Sequence, residues 1–249
     1  RKGCNDAGSC DTGFEELGYT WSKAGVTNIA KTDGSKRPVL VFGGGYDPVV
    51  EDIDPATITA SDTTSVTTSA SVLPKQRTMG RAIYVVDAAT GALIWKAQGG
   101  NSTGTCAATN CLSVTGMDYA IPADVSVMTR LQSDSSNDQI ADRFYVGDTG
   151  GQLWRVSLVD PKNVSTWTVH KVGSVGGSGA VKRKLLGQPE VVYMAGYDAV
   201  SIGSGDREHP FDGKPPGTAS VANRFYIFRD PNIGLYVSSS SVIEESGML

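Results

Sequence analysis

The sequence is poor in the residues that metal and nucleophile chemistry use most. It holds two histidines in 249 residues, His170 and His209. They lie far apart without ligand spacing, which argues against a His-based zinc site or a His-driven catalytic centre. No apolar run approaches the roughly 20 residues that a membrane-spanning helix needs. Positive charge is not in excess either: 22 Lys and Arg stand against 26 Asp and Glu, a net charge of −4. Nothing in that balance draws the chain to nucleic acid or to an anionic membrane. Helix signals are scarce, and the best candidate, around residues 120–131, is interrupted by Pro122 and reads equally as a strand. The chain begins at Arg1 with neither an initiator Met nor a signal-peptide core, and reads as a processed or cut piece of something longer.

Cysteine is sparse but ordered. The four cysteines fall as two local pairs, Cys4 with Cys10 and Cys106 with Cys111. Neither pair has CxxC spacing, so disulfides closing short loops are expected, and these suit an oxidising compartment such as a periplasm or cell surface. What the chain has in abundance is glycine, 30 residues of 249, well above the roughly 7% of ordinary chains. With many Ser and Thr, that composition means frequent turns and predicts an all-β fold.

A repeat emerges when glycine is used as punctuation. One copy is Gly80-Arg-Ala-Ile-Tyr-Val-Val-Asp87-Ala-Ala-Thr-Gly91-Ala-Leu-Ile-Trp95, and a second is Asp142-Arg-Phe-Tyr-Val-Gly-Asp148-Thr-Gly-Gly151-Gln-Leu-Trp154. Each has an aromatic and β-branched strand, an Asp, a glycine turn and a strand carrying Trp. Weaker relatives are Pro38–Asp47, Val191–Asp198 with Val200–Gly203, and Arg224–Asp230. Hairpins recurring at this scale predict a β-propeller or a related radial array, of four or five blades, as an incomplete ring with two open edges. Asp87 and Asp148 read as caps of equivalent turns. Residues 56–72 carry ten Ser or Thr in seventeen positions, which reads as a mobile surface insert, with a β-rich flap as the alternative.

The sharpest chemical constellation is Asp134-Ser-Ser-Asn-Asp-Gln-Ile-Ala-Asp142. With Asp134 as position 1, oxygen side chains fall at positions 1, 3, 5 and 9 (Asp134, Ser136, Asp138, Asp142), and Ile140 at position 7 offers its carbonyl. That is the oxygen arrangement of the first nine positions of an EF-hand-type Ca²⁺ loop. A bound cation would relieve the repulsion among three close carboxylates. The pattern departs from an EF-hand at position 12, which is Tyr145, and at position 6, where Gln139 replaces the turn-making glycine. Other signals are softer. Gly43-Gly44-Gly45 lacks the spacing of a phosphate-binding loop, Lys182-Arg183-Lys184 reads as a solvated basic turn, and Gly203-Ser-Gly-Asp206-Arg-Glu-His209 reads as a charged surface loop, since adjacency in sequence is not the geometry of a triad.

Five motifs in order resemble the C-terminal propeller of the PilC/PilY family, large type IV pilus tip and biogenesis proteins. They are Gly18-Tyr-Thr-Trp-Ser22, Val39–Asp47, Gly80–Asp87 with Gly91 and Trp95, Ala141–Asp148 with Gly151–Arg155, and Gly203–Pro210. The likeness runs over about residues 17 to 230. It departs at Lys23-Ala24, where an Arg/Lys-Pro is more usual, and the family's long N-terminal region is missing here. The resemblance implies a modified quinoprotein-like β-propeller, incomplete in this chain, as one partial domain over 1–249 with the insert at about 56–72. It implies Ca²⁺ as cofactor at Asp134, Ser136, Asp138, Ile140 and Asp142. It further implies a non-enzymatic protein secreted through the periplasm to the bacterial cell surface, at the pilus tip or outer membrane. There it would support pilus extension against retraction and surface attachment. The implied partners are minor pilins and a host or abiotic surface receptor, with no nucleic acid and no membrane insertion. Two competing readings are a quinone-cofactor-dependent dehydrogenase on the same architecture and a carbohydrate-binding propeller that uses its nine Tyr and four Trp as stacking platforms.

Overall fold

The computed structural model describes residues 10–48, 79–100, 102, 104, 106, 109–129, 139–177, 183–194, 196–207, 222–231 and 242–244. The Ser/Thr-rich stretch 56–72 lies outside them. The described strands form three sheets. In the first, β1 (Gly25–Ala30), β2 (Lys36–Gly43), β3 (Ala82–Asp87) and β4 (Leu93–Gly99) make an antiparallel meander, and β5 (Cys111–Val114) adds parallel to the edge of β4. The second repeats that plan with β6 (Ser126–Thr129), β7 (Ala141–Gly147), β8 (Gln152–Ser157) and β9 (Thr168–Ser174). Its parallel edge strand arrives from the far end of the chain as β13 (Ile243–Glu244). The third consists of β10 (Glu190–Met194), β11 (Tyr197–Gly203) and β12 (Phe225–Asp230). None of these three sheets closes on itself among the described residues. The architecture is all-β and fits an incomplete propeller, with three sheets among the described residues against an expected four or five. No helix among them is long and apolar enough to cross a membrane.

Period-two alternation explains the stacking. In β3, Ile83 and Val85 face the second sheet while Tyr84 and Val86 face away, under Phe14. From the second sheet Phe144, Val146, Trp154 and Val156 join Ile83, Val85 and Trp95 in one apolar cluster that also takes Trp167. The opposite face of the second sheet supplies Tyr145 and Leu153 to a separate cluster with Val200, Ile202 and Phe228 of the third.

The hairpin repeat is offset from the sheet repeat. Aligned on their parallel edge strands, β4 corresponds to β9 and β3 to β8. The Asp87 turn therefore joins the third and fourth strands of its sheet, whereas the Asp148 turn joins the second and third. The two aspartates are not equivalent, and this corrects the sequence reading. Both do cap turns: Asp87 Oδ1 accepts from Ala89 N–H, Thr90 N–H and the Thr90 hydroxyl, and its other oxygen pairs with Arg37.

The structural repeat lies in the second strand of each sheet, which ends on a glycine (Gly43, Gly147, Gly203) with an aspartate just beyond it (Asp47, Asp148, Asp206). The segment six residues ahead of each first strand (Tyr19, Ala120, Lys184) pairs with the backbone of these glycine turns. Tyr19 and Tyr46 exchange N–H···O bonds of 2.9 and 2.8 Å. Gly45 N–H donates to Ile121 O, Ile121 N–H to Gly80 O and Thr149 N–H to Ala120 O, each at 2.9 Å. Leu185 N–H donates to Asp148 O at 3.0 Å, and Gly205 N–H to Lys184 O at 2.9 Å. The result is a line of backbone hydrogen bonds that sews the three sheets together at one end. It needs glycine, because a Cβ at Gly43 would stand 2.2 Å from the Ile121 carbonyl oxygen and one at Gly147 2.6 Å from Leu185 Cβ.

Candidate functional site

Of the predicted calcium ligands, Asp134, Ser136 and Asp138 lie outside the described residues, while Ile140 and Asp142 lie within them. The described end of the loop has two informative features. Gln139 adopts φ 53° and is the sole non-glycine residue with positive φ among those described. It occupies the sixth loop position, where the EF-hand turn calls for glycine, and it takes the left-handed conformation that glycine would supply there. Ile140 then forms a parallel bridge with Asn28 of β1, which ties the loop's end to the first sheet.

Asp142 follows at the start of β7, mostly shielded from solvent. Both of its carboxylate oxygens accept from Arg143 Nη1 at 2.8 Å. Arg143 is buried and extends in the opposite direction to the third sheet, where Nη2 donates to Asp198 Oδ1 at 2.7 Å and Nε donates to Asp198 Oδ2. Asp198 and Asp230 are direct partners in the β11–β12 ladder. Both are buried, at 0% and 1% exposure, a like-charge pairing that costs energy unless it is countered. The second sheet provides the countercharge. Arg155 Nη1 pairs with Asp230 Oδ2, and the Tyr145 hydroxyl lies 2.8 Å from Asp198 Oδ2 and 2.9 Å from Asp230 Oδ2. A phenol has one proton to give, so Tyr145 serves one carboxylate at a time.

The electrostatics follow from burial. Burial opposes the Arg143 charge, but the Asp198 hydrogen bonds and the charges of Asp142 and Asp198 outweigh it and hold the guanidinium above its ordinary range. Burial, with Asp230 and Asp198 nearby, raises the Tyr145 phenol far above its usual value, so it stays protonated. One turn along, Asp148 is fully buried and accepts from Gly150 N–H (2.9 Å), Gln152 N–H (2.8 Å) and Trp154 Nε1 (2.8 Å). Burial nonetheless pushes its carboxyl up to about 7.

The other sequence signals meet at the sewn end of the sheets. Trp21 stacks on Tyr46 with ring centroids 3.9 Å apart, Arg207 lies 5.4 Å over Trp21, and Lys184 lies 5.9 Å over Tyr46 while pairing with Asp206 at 2.8 Å. Three motifs of the family resemblance are thus brought together. The basic run 182–184 is not a solvated turn at its described residues. Arg183 donates to the Val175 and Ala222 carbonyls and Lys184 packs under Tyr46, leaving both about nine-tenths buried. Cys106 and Cys111 form a disulfide and Cys10 is disulfide-bonded, its expected partner Cys4 lying outside the described residues.

Sequence reasoning missed the buried network of Arg143, Tyr145, Arg155, Asp198 and Asp230. A signal was present: Asp is depleted from strands, and Arg143 alternates with Tyr145, as Leu153 does with Arg155, on a face that otherwise packs apolar.

No protein-family model matches the sequence, and no curated protein sequence does. The fold is similar to that in the crystal structure of the Pseudomonas aeruginosa PilY1 C-terminal domain. The match has a TM-score of 0.53 and 21% identity over 88% of this chain. The chain spans 38% of that domain's chain. At this identity the likeness establishes the fold.

Proposed function

We propose that this chain is part of a pilus-associated surface protein and that its loop 134–142 takes calcium. The pilus reading is supported by the fold likeness to the PilY1 C-terminal domain together with the five ordered motifs. The observation that carries the calcium reading is Gln139, whose left-handed backbone meets the conformational demand of the sixth loop position without glycine. Asp134, Ser136, Asp138, the Ile140 carbonyl and Asp142 would hold the ion. A hard divalent cation there supplies the charge that lets three carboxylates share one short loop. As in the resemblance, the module would help keep pili extended and meet minor pilins and a surface receptor outside the cell. A stacking platform for sugars finds little support in the tryptophans: Trp95, Trp154 and Trp167 are core residues, and Trp21 is engaged by Tyr46 and Arg207.

The test is calorimetric titration of Ca²⁺ into the protein and into Asp134→Ala/Asp138→Ala, beside pilus counts for strains carrying wild type or Asp138→Ala. One-site binding that the double variant loses, with fewer pili in the Asp138→Ala strain, is the expected result. A folded wild type that takes up no Ca²⁺ would end the calcium reading, and equal piliation would end its link to pili.

A further inference from the structure

The contact between the second and third sheets borders a titratable side chain that the buried network does not use. On β9, His170 stands directly opposite Arg155 of β8, and Thr168 stands opposite Ser157. Side chains directly opposite in an antiparallel pair share a face, and on that face Arg155 reaches the third sheet, where Nη1 pairs with Asp230. The other donors of Arg155 have little to spare: Nε donates to the Ser157 hydroxyl at 3.0 Å, and Nη2 is buried with no hydrogen-bond partner. His170 is half-buried beside it, with Nε2 3.1 Å from the Thr168 hydroxyl oxygen. β9 also touches the third sheet itself, since a Cβ at Gly173 would stand 2.2 Å from Phe228 Cε1 of β12.

We infer that His170 is an acid-sensitive latch at this contact: neutral, it leaves the Arg155–Asp230 pair to hold the third sheet, and protonated, it loosens that hold. The groups that face it are Arg155 on β8 and Asp230 on β12. Behind them the Tyr145 hydroxyl on β7 joins Asp230 to Asp198 on β11. Lys171 lies on the opposite face, over the Trp154 ring, and Glu244 of β13 pairs further along β9, with Ser174. An imidazolium sets a second positive charge against Arg155, a like-charge pair directly across the ladder. Its attraction to Asp230 competes with Arg155 Nη1 and the Tyr145 hydroxyl, both of which already engage Asp230 Oδ2. Burial first and Arg155 second hold the imidazole below its ordinary 6.5, against the pull of Asp230. The folded state therefore resists a proton that the unfolded chain accepts. The stability that His170 contributes is complete above about pH 6.5, falls as the pH drops below it, and levels off once the folded imidazole is itself protonated.

The experiment measures amide-exchange protection factors by NMR in wild type and His170→Gln, from about pH 7 down to about pH 5, the range in which a histidine changes charge. Protection factors remove the intrinsic pH dependence of exchange. The comparison of the two proteins removes every other titrating group, including Asp148, which acts in the same window with the opposite sign. On acidification the wild type is expected to lose about two- to fivefold more protection along β11 and β12 than His170→Gln, the range that a cross-strand charge pair carries. Along β3 and β4 of the first sheet the two proteins should respond alike. An equal response along β11 and β12 in both proteins overturns the inference. So does an extra loss in wild type spread evenly over the three sheets, which marks general destabilisation. Should His170→Gln not fold, the wild type alone decides: the β12 amide shifts are expected to titrate with the midpoint of the His170 ring, and β12 amides that ignore that midpoint overturn the latch.

Discussion

Replacing Gly43 by alanine tests whether the line of backbone bonds at one end of the sheets holds the fold together. The added Cβ would lie 2.2 Å from Ile121 O and 2.9 Å from Ile121 Cγ2, so the Ile121 backbone must retreat by roughly an ångström to regain ordinary contact. Ile121 O accepts from Gly45 N–H and its own N–H donates to Gly80 O, both at 2.9 Å; a shift of that size breaks or bends both bonds. A buried group left unpaired costs about 1–3 kcal/mol, and overpacking adds about 1–3 kcal/mol, so the variant should lose on the order of 2–6 kcal/mol. That is a large part of the 5–15 kcal/mol by which domains are typically stable. Gly187 is the control, with no atom within 4 Å of its notional Cβ and no positive φ; Gly187→Ala should stay within about 0.5 kcal/mol of wild type or gain slightly from a stiffer unfolded chain. Urea unfolding of the three proteins, followed by tryptophan fluorescence, reads both. A Gly43→Ala protein as stable as Gly187→Ala would mean that the Ile121 segment yields freely and the sewn end carries no load.

Loss of Ca²⁺ binding in Asp134→Ala/Asp138→Ala has its experiment above, and two further outcomes follow from the buried charges. Tyr145→Phe should cost about 1–3 kcal/mol in chemical denaturation, since Asp198 and Asp230 lose their shared donor; a more stable variant would show that the phenol oxygen repels the carboxylate it does not serve. Asp148 gives a pH signature. Its folded carboxyl is raised from 3.8 to about 7, so the folded state keeps a proton that the unfolded chain gives up. The stability it contributes is complete below about pH 4 and lost as pH rises through about 7, by at most about 4 kcal/mol. Urea unfolding across that window should therefore show wild type losing ground to Asp148→Asn as pH rises, and a constant difference would mean that the three N–H donors hold the carboxyl at its ordinary value.

What could be read from sequence is what is decided locally. The strands were readable because alternation puts Ile83 and Val85 on one face and Tyr84 and Val86 on the other, and the turns because glycine and Asp mark them. The oxygen pattern at 134–142 is local in the same way, nine consecutive residues, and its Asp134, Ser136 and Asp138 lie outside the described residues. The blade register was not readable. The Asp–Gly–Trp signature occurs in two hairpins at different positions of their sheets, and the true repeat, a glycine ending each second strand, is set by what packs on that glycine from another part of the chain. Lys184 and Arg183 looked solvated because their partners, Asp206, Tyr46 and the Ala222 carbonyl, are distant in sequence. The network of Arg143, Tyr145 and Arg155 with Asp198 and Asp230 was hidden most completely, with bonds spanning 53 to 85 residues.

The two sheet interfaces differ in kind, and the difference bears on function. Between the first and second sheets the contact is apolar, built on Ile83, Val85, Trp95, Phe144, Val146 and Trp154, and no single charge controls it. Between the second and third, an apolar cluster is accompanied by two arginines, two aspartates and a tyrosine, all buried. Hydrophobic contact tolerates small displacements, whereas a buried ion pair is strongly destabilised when one partner is withdrawn. The third sheet is therefore the one whose docking can respond to a change in a single carboxylate. Asp142 is the member of the network nearest the surface, paired with Arg143 at the start of β7.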